Sequence, residues 1–266
     1  SMHSVRMVTT NADRYICVNN VLQPVWAKHP RIAALLGDSR RRSQASRDIL
    51  DLMDTLKTLG LRHDRVEQVQ NIAQHLAWLR EYGMSIHVDG LFGKLEQMGL
   101  IDGVPLDPQA QAKELKDAFL RFWAQACRHL HDSAYITYED QKYWPFIELD
   151  AQRSSTRLPS GAVRYSHVLV DEFQDINPLD LELIKAIVAV NRAALTIVGD
   201  DDQAIFEWRG ATPHFILEPE KYLQQSFTTY SLATNYRSPR NIVTLSQRLI
   251  SNNKRRLPKQ TRSATT

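Results

Sequence analysis

Two stretches of the chain decide its fold: HVLVDEFQD (His167–Asp175) and ALTIVGDDDQ (Ala194–Gln203). Each begins with a short, unbroken apolar run rich in β-branched residues and continues into carboxylates. Runs of this kind predict strands that are buried on both faces of a parallel sheet. Between them, Asn177 and Pro178 are typical of a helix start, and apolar residues follow at helical spacing. The pattern predicts a strand, a crossover helix and a second strand.

Carboxylates follow both predicted strands, Asp171 and Glu172 after the first and Asp200–Asp202 after the second. Ligands of open α/β sheets bind beyond the carboxyl ends of the strands. A carboxylate fixed there can hold Mg²⁺, while its neighbour can deprotonate the attacking water in phosphoryl transfer. Acidic residues at strand ends are also common as solvated turns, so an isolated pair leaves both interpretations open.

Three segments extend this pattern in a fixed order: DEFQD (Asp171–Asp175), VGDDDQAIFEWRGA (Val198–Ala211) and LATNYRSP (Leu232–Pro239). Together they resemble motifs II, III and IV of the UvrD/Rep-like superfamily 1 helicases. YITYEDQ (Tyr135–Gln141) is similar to the stretch that precedes motif II in that family. The resemblance implies an α/β fold, with a helical insertion domain and part of a RecA-like (P-loop NTPase) parallel-sheet domain. It also implies an ATP-dependent DNA helicase.

The resemblance also implies roles for five residues of an ATP and Mg²⁺ site. Asp171 would be the Mg²⁺ carboxylate, Glu172 the general base, and Gln203 the side chain that contacts the γ-phosphate. Arg237 would be an arginine finger that spreads transition-state charge, and Tyr236 would stack on the nucleotide base. An ordinary surface arginine is the alternative for Arg237.

Phe206, Trp208 and Arg209 extend the resemblance from the nucleotide to DNA. Rings shortly after a nucleotide sensor can hold unstacked bases, and such stacking tolerates any base sequence. The implied partner is single-stranded DNA or a junction between single strand and duplex. The alternative for Phe206 and Trp208 is a pair of buried core aromatics.

The first part of the chain has the apolar spacing of amphipathic helices. Helices are predicted over Arg47–Leu59, Val66–Tyr82 and Gln109–His131, and Gly60 and Gly83 end the first two. The glycines and prolines between Gly90 and Pro108 predict short helices or turns. Four segments are expected: a lead-in at 1–20, a helical insertion domain at 21–145, the carboxyl half of a RecA-like domain at 146–228, and the start of a second motor domain with a basic tail at 229–266.

Three further expectations concern surface segments. The polar stretch Asp150–Gly161 is predicted to be a linker or exposed loop. A third strand is predicted at Thr228–Leu232, with a helix starting near Pro239 and a frayed basic tail beyond Lys254. The arginines Arg40–Arg42 are predicted as a solvated helix face, with phosphate contact as the alternative.

Composition adds little to these motifs. The chain has 33 basic and 30 acidic residues, so the formal charge of +3 permits nucleic-acid binding without requiring it. Only two cysteines occur, and no apolar run approaches the length of a membrane span, about 18 residues. We expect a reducing, cytoplasmic location.

The phosphate-binding pattern G-x-x-x-x-G-K-[ST] does not occur among the 266 residues. Gly93-Lys94 comes nearest, but Leu95 follows it and Val88 stands where the first glycine belongs. Either the chain is a piece of a longer helicase, completed by missing segments of that parent, or it is a relative that has lost catalysis. In both cases we expect it to bind Mg-ATP weakly and not to unwind DNA by itself. The rival hypothesis is a non-catalytic nucleic-acid-binding or assembly subunit that retains the helicase fold.

Overall fold

The computed structural model describes residues 5–152 and 164–264. Its contacts divide the chain into two compact units. The helical unit comprises the described residues of Ser1–Ser166 together with Asn177–Ala194, and the sheet unit comprises His167–Ile176 and Leu195–Thr266. The four segments expected from the sequence stay a prediction.

Most of the described residues lie in helices. The α-helices are α1 (Asn11–Ile16), α2 (Gln23–Trp26), α3 (Pro30–Gly37), α4 (Arg42–Thr58), α5 (Val69–Glu81), α6 (Ser85–Gln97), α7 (Pro108–Leu115), α8 (Arg121–Asp132), α9 (Asp140–Gln152), α10 (Pro178–Asn191), α11 (His214–Leu217), α12 (Pro219–Leu223) and α13 (Arg240–Ile250). The strands are β1 (Arg6–Met7), β2 (Tyr135–Ile136), β3 (His167–Val170), β4 (Ala194–Ile197), β5 (Thr234–Asn235) and β6 (Arg262–Ser263). Among the described residues, no helix is both long and apolar enough to cross a bilayer.

The helices predicted in the first part of the chain are confirmed. Helix α4 buries Ile49, Leu50, Met53 and Leu56 along one face, and α5 buries its own apolar face in the same core. Gly60 and Gly83 follow these helices with φ of +78° and +80°, a conformation that glycine adopts without steric cost.

The predicted helix Gln109–His131 is also confirmed, as a run from α7 to α8 through a π-helical segment, Lys116–Leu120. The expectation of short helices or turns around Gly90 and Gly93 is wrong, because both glycines lie inside the 13-residue helix α6. Apolar burial of Val88, Leu91, Phe92 and Leu95 outweighs the low helix propensity of glycine. Lys94 also lies in α6, and its Nζ is 2.5 Å from Oδ1 of Asp48. Gly93-Lys94 is therefore part of a helix and not a phosphate-binding loop.

A buried lysine fixes the centre of the helical unit. Lys57 on α4 is 1% exposed, and its Nζ lies 2.8 Å from Oδ1 of Asp140 and 3.0 Å from Oδ1 of Asp54. It also donates to Oγ1 of Thr137 at 3.0 Å. Burial alone would lower the pKa of Lys57, but the two carboxylates outweigh it and raise this pKa above its ordinary value. The charge therefore ties α4 to the start of α9.

Two surface predictions change in the structure. The polar stretch begins inside α9, because Asp150–Gln152 are its last residues and Asp150 pairs with Arg62. The rest of that stretch, from 153 to 161, lies outside the described residues. Arg42 donates to the carbonyl oxygens of Leu36 at 2.6 Å and Gly37 at 3.2 Å, which satisfies the end of α3. Arg40 and Arg41 are exposed.

The strand–helix–strand segment is confirmed. Strands β3 and β4 are hydrogen-bonded neighbours, and the bonds Ala194 N–H to Ser166 O and Val198 N–H to Val170 O advance together, as in a parallel pair. Helix α10 joins them, and Asn177 and Asp180 cap its start reciprocally. The prediction that both faces of these strands are buried is wrong. Exposed and partly buried residues alternate along β3 and β4, and Leu169 is 72% exposed. A pair of strands has too few neighbours to cover both faces.

The carboxyl-terminal part differs more from its prediction. Thr228–Leu232 forms no strand; the strand pair lies just beyond it, where β5 pairs in parallel with β6. The helix expected near Pro239 is confirmed as α13. The prediction of a frayed tail is wrong, because Arg256 and Lys259 pair with acidic residues and β6 pairs with β5. The tail has little to bury, but its charges find partners.

Candidate active site

Asp171 and Glu172 lie directly beyond strand β3, and both are exposed. Glu172 adopts the left-handed conformation, with φ of 51° and ψ of 43°, which is uncommon for a residue with a Cβ atom. Oδ1 of Asp171 accepts from the backbone N–H of Glu172 at 2.9 Å and supports this turn. Backbone of this kind costs about 1–3 kcal/mol and is frequent at functional sites. Both carboxylates thus lie on a turn that its own hydrogen bond stabilises.

A buried amide joins Glu172 to the end of strand β4. Gln174, which is 2% exposed, donates from Nε2 to Oε2 of Glu172 at 2.7 Å. Its Oε1 accepts from the backbone N–H of Asp200 at 3.0 Å. The two acidic turns predicted at the strand ends are thus linked through one side chain.

Gly199 makes room for this amide. A Cβ atom at Gly199 would lie 2.5 Å from Oε1 of Gln174, 2.7 Å from Cδ1 of Ile216 and 3.0 Å from the backbone nitrogen of Phe173. Such contacts are too short for any residue larger than glycine without movement of its neighbours. Only glycine therefore fits at this position without displacing its neighbours.

Asp200 joins this link to Gln203. The Asp200 carboxylate accepts from Nε2 of Gln203 at 2.8 Å through Oδ2 and from Nζ of Lys259 through Oδ1. Gln203 is exposed at the end of a short 3-10 turn, Asp201–Gln203. Glu172 and Gln203 are thus connected through Gln174, which bonds the backbone N–H of Asp200, and through the carboxylate of Asp200, which bonds Gln203.

Basic residues of the tail form ion pairs with the carboxylates of the Asp200–Asp202 turn. Lys259 pairs with all three carboxylates, at 3.1 Å for Asp202. Arg256 binds Asp202 through two nitrogens, with Nε at 2.9 Å from Oδ1 and Nη2 at 2.5 Å from Oδ2. The backbone N–H of Leu257 donates to Asp201 at 2.9 Å. These contacts hold the turn at a defined position.

The ionisation of the turn follows from these pairs. Burial on its own would raise the pKa of Asp200, but hydrogen bonds from Lys259 and Gln203 outweigh it and lower this pKa. Burial would likewise lower the pKa of Lys259, and its bonds to the three carboxylates raise it instead. The lysine and Asp200 therefore stay charged at neutral pH.

The predicted DNA-contact residues lie on the next turn, Glu207–Arg209 and the residue before it. Trp208 is 75% exposed, which excludes the alternative of a buried core ring, and Phe206 is half-buried. The guanidinium of Arg209 lies 5.7 Å from the ring centre of Phe206 and 5.6 Å from that of Trp208. Trp208 and Arg209 are both exposed, so an aromatic ring and a cation lie side by side at the surface.

Asp175 connects the turn to Glu172 electrostatically. Burial raises the pKa of Asp175, the Glu172 carboxylate raises it further, and the charge of Arg209 opposes both. Its Oδ1 has no hydrogen-bond partner among the described residues. Asp175 thus lies within the electrostatic reach of both the candidate base and the candidate DNA-contact turn.

Tyr236 and Arg237 lie on a separate turn after strand β5. Oδ1 of Asn235 accepts from the backbone N–H groups of Arg237 at 2.9 Å and Ser238 at 2.8 Å, a local bond that asparagine favours. Tyr236 is 81% exposed and Arg237 is exposed. Within the described ranges no ion pair involves Arg237, and its backbone N–H bond to Asn235 does not reach Glu172 or Gln203. Its assignment as a finger stays a prediction.

Asp171 fits the donor chemistry of magnesium, since Mg²⁺ binds through one or two carboxylates together with water and phosphate oxygens. Across residues 5–152 and 164–264 there is no group of three or more metal-binding side chains. The carboxylates of Asp200–Asp202 already bind Lys259 and Arg256, whereas Asp171 is exposed. The exposed carboxylate of Asp171 therefore fits the chemistry of such a ligand, and its assignment to Mg²⁺ stays a prediction.

Sequence reasoning missed three residues of this site: Gln174, Arg256 and Lys259. Gln174 stood inside the quoted DEFQD segment, where its buried amide could have been noticed. Nothing in the local sequence joins Lys259 to Asp200, because 59 positions separate them.

Similarity to known proteins identifies the family of this chain. Residues 42–224 match the model of the UvrD/REP helicase N-terminal domain. The match covers most of the chain, including both strand-end turns and the helices α4 to α12. The chain belongs to the UvrD/REP helicase family.

Curated relatives agree with this assignment. The chain is 35% identical over 135 residues to the ATP-dependent DNA helicase Rep of Buchnera aphidicola subsp. Baizongia pistaciae, covering 51% of this chain and 20% of that protein. It is 36% identical over 128 residues to the Escherichia coli protein of the same name, covering 47% and 18%. Over 97 residues it is 45% identical to DNA helicase II of Haemophilus influenzae, covering 36% and 13%. The chain thus spans a fifth or less of the length of these relatives.

Proposed function

We propose that the chain supplies the hydrolytic and γ-phosphate-sensing residues of an ATP-dependent DNA helicase that moves on single-stranded DNA. The hydrogen-bonded series from Glu172 through Gln174 and Asp200 to Gln203 carries this proposal. It joins a carboxylate that can act as a base to an exposed amide that can contact a phosphate. Both lie at strand ends, where ligands of α/β sheets bind.

In this proposal Asp171 holds Mg²⁺, which would neutralise phosphate charge when bound. Glu172 orients the attacking water and takes its proton. Gln203 contacts the γ-phosphate, Arg237 contributes positive charge to the transition state, and Tyr236 stacks on the base of the nucleotide. No G-x-x-x-x-G-K-[ST] pattern occurs in these 266 residues, so the isolated chain is expected to bind Mg-ATP weakly and not to unwind DNA.

The test is ATP hydrolysis by the full-length protein of the native reading frame, measured with and without oligo-dT. Glu172→Gln should reduce the DNA-stimulated rate by about 100-fold or more, because it removes the base while keeping the size of the side chain. Glu96→Gln, an exposed change on α6, is the matched control and should leave the rate unchanged. Equal rates for Glu172→Gln and the wild type would refute the assignment.

We propose that Trp208 and Arg209, with Phe206 behind them, hold the bases of single-stranded DNA. The exposure of Trp208 supports this, because a ring that stacks on bases has to be accessible. Trp208→Ala should weaken oligo-dT binding by about 5- to 150-fold, the equivalent of about 1–3 kcal/mol of stacking. Tyr138→Ala, which removes a ring that is 63% exposed in the helical unit, is the control. Fluorescence anisotropy of labelled oligo-dT measures both affinities, and equal losses in the two variants would contradict a specific role for Trp208.

The rival hypothesis is a nucleic-acid-binding subunit without catalysis. Salt-dependent binding to oligo-dT is expected of the helicase and of such a subunit. The two differ in hydrolysis, since a binding subunit should show the same background rate for the wild type and for Glu172→Gln.

A further inference from the structure

Gln174 has both ends of its amide engaged, and its 2% exposure leaves no room for contact with a ligand. Nε2 donates to Glu172 at 2.7 Å, and Oε1 accepts from the N–H of Asp200 at 3.0 Å. A buried amide that loses a partner leaves an unsatisfied polar group, which is costly. Displacement of one partner is therefore transmitted to the other.

The Asp200 end of this link also contacts Gln203. Oδ2 of Asp200 accepts from Nε2 of Gln203 at 2.8 Å, and Oδ1 accepts from Lys259. If Gln203 turns its amide toward a phosphate oxygen, Asp200 loses that donor and keeps Lys259. The hydrogen bonds that position Asp200 then change. Because Gln174 bonds the backbone N–H of the same residue, a shift of Asp200 reaches Gln174.

We propose that Gln174 is a positioning residue that, through Asp200, couples the γ-phosphate sensor Gln203 to the base Glu172. The proposal rests on the proposed function, because it assigns coupling between two roles given there. The carboxylate of Glu172 is aligned with the attacking water only while Gln203 contacts the γ-phosphate. Hydrolysis is thereby restricted to the complex in which the phosphate is correctly seated.

Two substitutions in the full-length protein separate the two ends of the link. Gln174→Met removes both hydrogen bonds, whereas Gln174→Glu keeps an oxygen acceptor for Asp200 and replaces the donor to Glu172 with a second carboxylate. Both should lower kcat by about 100-fold, the cost of misplacing a reacting group by about 1 Å. KM for ATP and the affinity for oligo-dT should stay within about twofold, because Gln174 contacts neither ligand.

Gln111→Met is the matched control, since Gln111 is also a buried glutamine, 5% exposed, with hydrogen bonds to Pro105 and Arg80. It should leave kcat unchanged. If Gln174→Met and Gln174→Glu instead raise KM for ATP as much as they lower kcat, Gln174 serves binding or folding and the proposal is overturned.

Hydrogen exchange on the 266-residue chain tests the link without hydrolysis. The Asp200 amide should exchange faster in Gln174→Met than in the wild type, and Gln174→Glu should retain its protection. Equal exchange in the wild type and Gln174→Met would overturn the proposal. A wild-type full-length protein without DNA-stimulated hydrolysis would instead refute the proposed function, and the coupling role with it. Normal wild-type hydrolysis with normal kcat in both Gln174 variants refutes the coupling alone.

Discussion

Replacement of Gly199 by alanine tests the packing at the junction of the two strand-end turns. The added Cβ would meet Oε1 of Gln174 at 2.5 Å, Cδ1 of Ile216 at 2.7 Å and the backbone nitrogen of Phe173 at 3.0 Å. The isoleucine methyl group can rotate away, but the Phe173 nitrogen is fixed by its bond to the carbonyl oxygen of Val198 at 2.9 Å. The amide of Gln174 therefore has to move.

The expected loss has two sources. Overpacking of this kind costs about 1–3 kcal/mol, and loss of the bond between Gln174 and the Asp200 N–H adds about 1 kcal/mol. We expect Gly199→Ala to lower the free energy of unfolding of the sheet unit by about 2–4 kcal/mol. It should also lower kcat in the full-length protein, as is expected for Gln174→Met.

Gly90→Ala is the control, because it makes the same chemical change inside helix α6 with nothing within 4 Å of the new Cβ. It should stabilise the helical unit by about 0.5–1 kcal/mol, since alanine loses less backbone freedom than glycine. Urea-dependent hydrogen exchange measures the stability of each unit in the same sample. If Gly199→Ala is as stable as the wild type, or is stabilised as Gly90→Ala is, the steric argument fails.

Three further predictions concern charged and titratable groups. Lys57→Met should destabilise the helical unit by about 3–5 kcal/mol in urea denaturation, because it leaves Asp140 buried without its cation; a change below about 1 kcal/mol would contradict this role. Burial lowers the pKa of His63 to about 4, so the unfolded state takes up the proton first, and stability should fall as pH drops from about 6.5 to about 4. His63→Leu should reduce the dependence of the unfolding free energy on pH, measured by denaturation curves across this range. An unchanged dependence would mean that other groups cause it. Lys259→Met should speed hydrogen exchange in β6 and at Asp201, which is 7% exposed, whereas unchanged exchange would show that Arg256 is enough to hold the turn.

Local patterns predicted the elements that depend on local interactions. The apolar spacing of α4 and α5 and the glycines after them specify those helices, because each of these features acts within a few residues. The start of α10 at Asn177 and Pro178 follows in the same way from the capping bonds of its first turn. Helix α6 was missed because burial of its apolar side chains, which depends on distant residues, outweighs its two glycines.

The candidate site was predictable only in part, for a related reason. Asp171, Glu172 and Gln203 follow strands that a short apolar run reveals, so their placement at strand ends could be derived from the sequence. The contact that joins them could not, because Gln174 reaches Asp200 across 26 positions. Pairing between β3 and β4 decides this contact, and the register of that pairing is not written in either strand.

The basic tail shows why charge patterns are hard to interpret without a structure. A polar, basic segment with nothing apolar to bury was expected to fray, since burial of apolar surface is what usually orders a chain end. Here ion pairs with carboxylates order the tail instead. Asp201 is 7% exposed, and a carboxylate that lies so far from water requires a cation nearby. Lys259 meets this requirement while it also contacts Asp200 and Asp202. The three acidic residues that follow strand β4 and the lysine of the tail therefore form one electrostatic unit, and substitution of Lys259 or of an acidic residue should affect the position of Gln203.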